Sequence, residues 1–108
     1  MSHQKDADII KTLHECMEAC NHCYTSCFEE DANKMEACIR LDRECATICA
    51  SFEQALSYDT AFVQEYAQLC ATACKVCGDE CAKHEPDHCK KCADACYVCE
   101  DACKKLIT

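Results

Sequence analysis

The sequence predicts an all-α protein, an antiparallel up-down-up-down four-helix bundle with a Cys-lined core. Two observations carry this. The 108 residues include 16 Cys, and within each group of Cys the steps are 3, 4 or 7, the period of one helix face. The chain also holds one Gly and one Pro, which argues against a many-turned β-sandwich and removes collagen-like and linker-rich classes.

The first helix is expected over 4–28. At 100° per residue, Cys16, Cys20, Cys23 and Cys27 lie within about 60° of one another, whereas a strand would scatter them to both faces. The second, over 33–56, carries Cys38, Cys45 and Cys49, and Asp42 occupies the inner position where a fourth Cys would fall. Asn33, followed three residues later by Glu36, resembles a capping box. The third, over 59–84, carries Cys70, Cys74, Cys77 and Cys81, and the last, over 86–106, carries Cys89, Cys92, Cys96, Cys99 and Cys103. Pro86 suits the first turn of that last helix. Glu15, Glu18, Lys75, Asp79, Lys90, Asp94 and Asp101 fall between the thiols and supply the solvent side. Helices of roughly 20–25 residues run about 30–37 Å, and short breaks between them make one domain, 1–108, with antiparallel neighbours.

Antiparallel order polarises the bundle. Ile9, Ile10, Leu13, Phe52, Leu56, Val63, Tyr66, Leu106 and Ile107 collect at one end as an apolar plug. Cys27, Met35, Cys38, Asp42, Cys81, His84, His88 and Cys89 collect at the other, forming a ligand-rich mouth. Between them lies a tube of thiols. Without Cys and Ala, only 23 Val, Ile, Leu, Met, Phe and Tyr remain, too few for an ordinary aliphatic core, so sulfur must fill much of the interior.

The net charge of −9 disfavours nucleic acid and anionic membranes as partners. The first residues lack the apolar stretch of a secretory signal, and the longest apolar run, 95–99, is far short of a membrane span. A cytoplasmic location is therefore expected, where dense Cys reads as metal binding before disulfides.

Residues four apart on a helix have Cβ atoms about 5–6 Å apart, and two metal–thiolate bonds laid end to end span about 4.6 Å. Each Cys-x3-Cys pair can thus clasp one ion linearly. The pairs are Cys16/Cys20, Cys23/Cys27, Cys45/Cys49, Cys70/Cys74, Cys77/Cys81, Cys92/Cys96 and Cys99/Cys103. Thiolates select Cu(I), and zinc prefers closed tetrahedral sets of four, so a ladder of pairs favours copper, with multiple ions per chain and an upper bound of about 16 if every thiolate bridges two ions. Other readings compete. Thiols can act as small buried hydrophobes, but Ala, Val or Leu would pack better and resist oxidation. Disulfides along one helix face close almost no loop, and the ferredoxin Cys-x2-Cys-x2-Cys-x3-Cys-Pro run is missing. A redox buffer predicts reversible disulfides. Zinc or iron–sulfur binding and thiol redox buffering stay as alternatives, and an interaction bundle would need an exposed apolar face that the sequence does not show.

Asp42 is either a ligand or gate, or the partner of Arg40, Arg43 or another helix. His84 and His88 could relay incoming metal or serve as surface or capping residues; Met35 could assist entry, and His3, His14 and His22 are expected in solvent. No catalytic constellation is apparent, so the chain reads as a non-enzyme.

The pattern Cys16-x3-Cys20-x2-Cys23-x3-Cys27, with the long run from Cys70 through His84, His88 and Cys89 to Cys103, resembles the bacterial four-helix-bundle copper storage proteins, in their cytosolic branch. The resemblance covers nearly the whole chain. It implies a core filled with Cu(I) on all 16 Cys, Asp42, His84 and His88 at the mouth, and a homotetramer. Helix two departs from the full ladder at Leu41 and Asp42.

Overall fold

The computed structural model describes residues 6–108, in which four helices form and no strand does. They are α1 Ala7–Cys27, α2 Glu36–Ser57, α3 Val63–Cys81 and α4 Asp87–Lys104. The expected start at residue 4 and the expectation for His3 lie outside the described residues. Each helix packs on two neighbours, in the cyclic order α1, α2, α3, α4.

Side-chain contacts give the direction of every pair. Between α2 and α3, Cys38 meets Cys81, Cys45 meets Cys74 and Cys49 meets Cys70. Between α1 and α4, Cys16 meets Cys96 and Cys23 meets Cys89. Asn21 meets Arg43 and His14 meets Glu53 across α1 and α2, and Gln64 meets Leu106 while Asp79 meets Tyr97 across α3 and α4. As one partner advances the other retreats, so all four pairs are antiparallel, in a rod of 46 × 21 × 17 Å.

The helix ends show where local chemistry overrode the expected boundaries. Asn33 does not cap α2. The Asp31 carboxylate accepts the Asn33 N–H at 3.1 Å, and the Lys34 and Met35 N–H groups bond back to the Asp31 carbonyl. An ionised carboxylate is the stronger acceptor for an Asx turn, so a turn intervenes and α2 starts three residues later than expected. At the other end of α2, Asp59 takes φ 62°. The N–H groups of Asp59 and Thr60 return to the carbonyls of Leu56 and Ala55, the two bonds of a Schellman cap. Pro86, with ψ 144°, stands just before α4 as its cap rather than inside its first turn.

Gly78 lets α3 and α4 approach closely. A Cβ there would stand 2.8 Å from Tyr97 Cε1 and 3.2 Å from Cys96 Cβ. The Tyr97 ring lies over this gap, and its hydroxyl donates to Asp79 Oδ1 at 2.7 Å.

The plug forms as the pattern predicts. Leu13, Phe52 and Leu56 are buried, and Ile10, Val63, Tyr66, Leu106 and Ile107 pack against them in part. Phe52 stacks on Tyr66 with ring centroids 5.5 Å apart. No helix is long and apolar enough to cross a membrane among the described residues. Phe28, Tyr58, Phe62, Leu69, Val76 and Val98 are exposed, an apolar exposure that the spacing of the thiols does not reveal.

Candidate metal centre

All 16 Cys are buried and free, with no disulfide between them. The helix period points every thiol inward, and the antiparallel order then stacks thiols of four helices at matching heights. The shortest sulfur contacts therefore cross between helices. Cys38 and Cys81 lie 3.3 Å apart, Cys20 is 3.7 Å from both Cys92 and Cys96, and Cys49 is 3.7 Å from Cys70. Pairs along one helix are comparable, 3.8 Å for Cys23 with Cys27 and 3.9 Å for Cys70 with Cys74.

These contacts build quartets whose ligand atoms all lie within 4.8 Å of one another. From the plug outward they include Cys16/Cys49/Cys74/Cys99, Cys16/Cys20/Cys45/Cys96, Cys20/Cys77/Cys92/Cys96, Cys23/Asp42/Cys81/Cys92 and Cys23/Cys27/Cys38/Cys89. Each shares a member with the next: Cys16, then Cys20 and Cys96, then Cys92, then Cys23. The sulfurs thus form one unbroken string along the axis. Cys70 and Cys49 extend it toward the plug, and Cys103 is buried at that same end.

Asp42 sits inside the string rather than on its rim, and is fully buried. The thiols of Cys77, Cys81 and Cys92 donate to its Oδ1 at 3.4, 3.3 and 3.3 Å, and Cys38 donates to Oδ2 at 3.7 Å. Neither candidate arginine reaches it: Arg40 pairs with Glu36 at 3.2 Å, and Arg43 donates to Asn21 Oδ1 at 2.9 Å. Burial, followed by the neighbouring Cys92, pushes the Asp42 carboxyl up to about 8. Burial is also the leading cause that raises the thiols of Cys27 and Cys89, the latter to about 12. Asp42, Cys27 and Cys89 are thus biased toward their protonated forms, and a thiophilic cation bound by them must displace protons.

This chemistry matches what a profile comparison finds over residues 2–108, the family described as copper storage protein. The chain belongs to the copper storage protein family. It is 50% identical over 82 residues to the cysteine-rich protein YhjQ of Bacillus subtilis strain 168, covering 75% of this chain and 76% of the relative. Its fold superposes on the Cu(I)-bound copper storage protein BsCsp3 with TM-score 0.91 at 45% identity, over 95% of this chain and 98% of the other. A cytosolic copper storage protein from Streptomyces lividans, solved with five coppers, gives TM-score 0.91 at 36% identity over 98% and 94%.

At the mouth of this family member the two histidines part ways. His88 Nδ1 faces the sulfurs of Cys23 and Cys89 at 3.4 and 3.6 Å, while its other nitrogen lies 3.7 Å from Glu30. His84 turns to Glu80 instead, with Nε2 to carboxylate 2.8 Å. Met35 is buried at the start of α2. His22 is exposed as expected, and His14, also exposed, bonds Glu53 at 3.2 Å. Glu80, which the spacing puts on the solvent side, holds His84, and Glu30 lies beside His88 without a hydrogen bond to its Nε2. Glu80 stands four residues before His84 and was legible as a helix pair, whereas Glu30 lies in a loop and carried no such signal.

Proposed function

We propose that this chain is a passive, high-capacity cytoplasmic store for Cu(I), a single domain over 1–108 that sequesters copper rather than catalysing a reaction. One observation supports the reading above all: buried thiols linked without a gap from the mouth to the plug. A single structural site needs four ligands, and a packed core needs no sulfur; a continuous string of shared quartets suits an ion that moves by exchange between neighbouring thiolates.

All 16 Cys serve as ligands in this reading, with Asp42 as an oxygen ligand within the string. Copper(I) is met first by His88 and the thiols of Cys23 and Cys89. Each ion displaces thiol protons, which leave to solvent, and passes inward where a shared cysteine belongs to two quartets at once. His84, held by Glu80, lines the approach, and the plug of Phe52, Leu13 and Leu56 closes the far end. The sulfur separations of 3.3–4.0 Å need to open by about 1 Å to span a linear thiolate–metal–thiolate unit, a small adjustment for unbranched side chains. Exposed Leu69 and Val76, two turns apart on α3, support the subunit contacts of a homotetramer.

The test is an anaerobic Cu(I) titration of the fully reduced protein against a chromogenic chelator. More than about seven ions withheld per chain, one for each Cys-x3-Cys pair, is the expected result. Saturation at one or two ions would replace the store with a discrete-site metalloprotein.

A further inference from the structure

Coordination geometry alone does not decide which soft ion the tube accepts. Four thiolates around one zinc ion stand about 3.8 Å apart, because each zinc–sulfur bond is about 2.3 Å. The quartets built on Cys49, Cys77 and Cys27 share no member, and their ligand atoms lie within 4.8 Å. By shape, three divalent ions could therefore settle in separate tetrahedral sites.

Charge opposes this. A divalent ion on four thiolates leaves two negative charges at every site. A monovalent ion exchanges evenly: a thiol RSH and an ion M+ give RS–M and one proton released to solvent, with no redox change and no change in buried charge. The interior has nothing to neutralise an excess. Every described Lys and Arg is exposed, and Asp42, the buried group among the thiols that is not sulfur, is itself an acid. The basic side chains nearest the string are His88 and His84, with side chains 13% and 17% exposed at the mouth. Uncompensated charge in a water-poor interior is heavily penalised.

We infer that the core selects its cargo by ionic charge as well as softness: it takes monovalent soft cations, silver(I) as well as copper(I), at about one per thiol, and rejects zinc(II) and cadmium(II) from the two inner quartets. The inference rests on the copper-storage reading and deepens it by fixing the cargo class. A divalent ion has one place left, the outermost quartet, which lies nearest solvent beside the part-exposed His88.

The experiment loads the reduced full-length protein anaerobically with Cu(I), Ag(I) or Cd(II), in separate samples. Native mass spectrometry counts ions per chain, and a pH indicator in weak buffer counts protons released. The expected result is Ag(I) loading to the same level as Cu(I) with about one proton per ion, and at most one Cd(II) per chain. More than one Cd(II) per chain in a protein that also fills with Cu(I) overturns the charge rule and leaves storage intact. Refusal of Ag(I) by a protein that accepts Cu(I) overturns it equally. Failure of Cu(I) to load in the first sample instead overturns the storage reading itself.

Discussion

Asp42 departs from the thiol pattern at the point where the pattern would have been complete, and its surroundings explain why it is tolerated. Four thiols donate to its two oxygens, so the carboxyl is solvated by sulfur where water is excluded. Its carboxyl is raised, by burial and then by Cys92, from 3.8 to about 8. The folded protein thus binds this proton more tightly than the unfolded chain. The stabilisation is fully present below about pH 4 and is lost as pH rises through about 8, with an upper limit on the order of 5 kcal/mol. Urea unfolding of the reduced, metal-free protein should accordingly show a midpoint that falls across this interval, and Asp42→Asn should flatten the profile. An unchanged slope in the variant would place the pH dependence elsewhere. His88 acts at the same scale but on rate. With Nδ1 3.4 Å from the Cys23 sulfur, it would in the proposed function be the first nitrogen an incoming ion meets, one ligand beside 16 thiols. His88→Ala should slow copper loading severalfold in stopped-flow transfer from a chelator and leave the final number of ions per chain unaltered. A fall in capacity with unchanged rate would contradict that role.

Among the elements, the contact of α3 with α4 depends on a residue with no side chain. Gly78 carries a helix penalty of about 1 kcal/mol relative to Ala, and Gly78→Ala would recover it. The new Cβ would however stand 2.8 Å from the Tyr97 ring and 3.2 Å from Cys96 Cβ, and overpacking of this kind costs about 1–3 kcal/mol. The ring must move, and its 2.7 Å hydrogen bond to Asp79 goes with it. Gly78→Ala should therefore destabilise the protein by about 1 kcal/mol net, whereas in a Tyr97→Ala background the same change should be neutral or stabilising. Chemical denaturation of the four proteins of this cycle checks it, and equal effects in both backgrounds would show that the ring is not the obstacle. Helix number, order and inward face were legible in the sequence because each depends on a period of 3.6 residues that Cys marks without ambiguity. The start of α2 was not, since Asn33 with Glu36 reads as a capping box, and only the fold shows the Asn33 N–H tied to Asp31 and the helix beginning at Glu36. Gly78 was visible as a lone glycine, but its purpose depends on Tyr97, which arrives from another helix. For the site, the inward stripes identified every thiol, and the cross-helix partners were hidden because the pairing of heights follows from tertiary register. Asp42 was expected near the mouth on α2, and its place within the string became clear only when α3 and α4 surrounded it.

At the scale of the whole molecule, the bundle is asymmetric along its axis, and in the proposed function that asymmetry leaves the store a single working end. The mouth offers His88 and a set of thiols, whereas the far end is sealed by Leu13, Phe52 and Leu56, with Phe52 stacked on Tyr66 at 5.5 Å. In the metal-free protein this plug is the main block of ordinary hydrophobic packing, because the remaining core is built of small, weakly hydrophobic Cys and Ala. Metal changes the balance: ions that bind only the folded chain stabilise it by mass action, about 4 kcal/mol for each site held at a thousandfold excess over its dissociation constant. The two contributions can be separated by Phe52→Ala. Loss of this side chain should destabilise the metal-free protein by about 3–5 kcal/mol through lost burial and the cavity left behind, while the copper-loaded protein, held from within by its thiolate bonds, should remain folded. The cavity also opens the dry end beside Cys49 and Cys70, so a competing chelator should extract copper faster from the loaded variant than from the parent, at equal capacity. Matched rates of extraction would mean that the plug stabilises the fold without confining the metal. A faster rate that vanishes when a bulky chelator replaces a small one would locate the leak at the new opening, since only a small ligand can follow the cavity down to the innermost thiols.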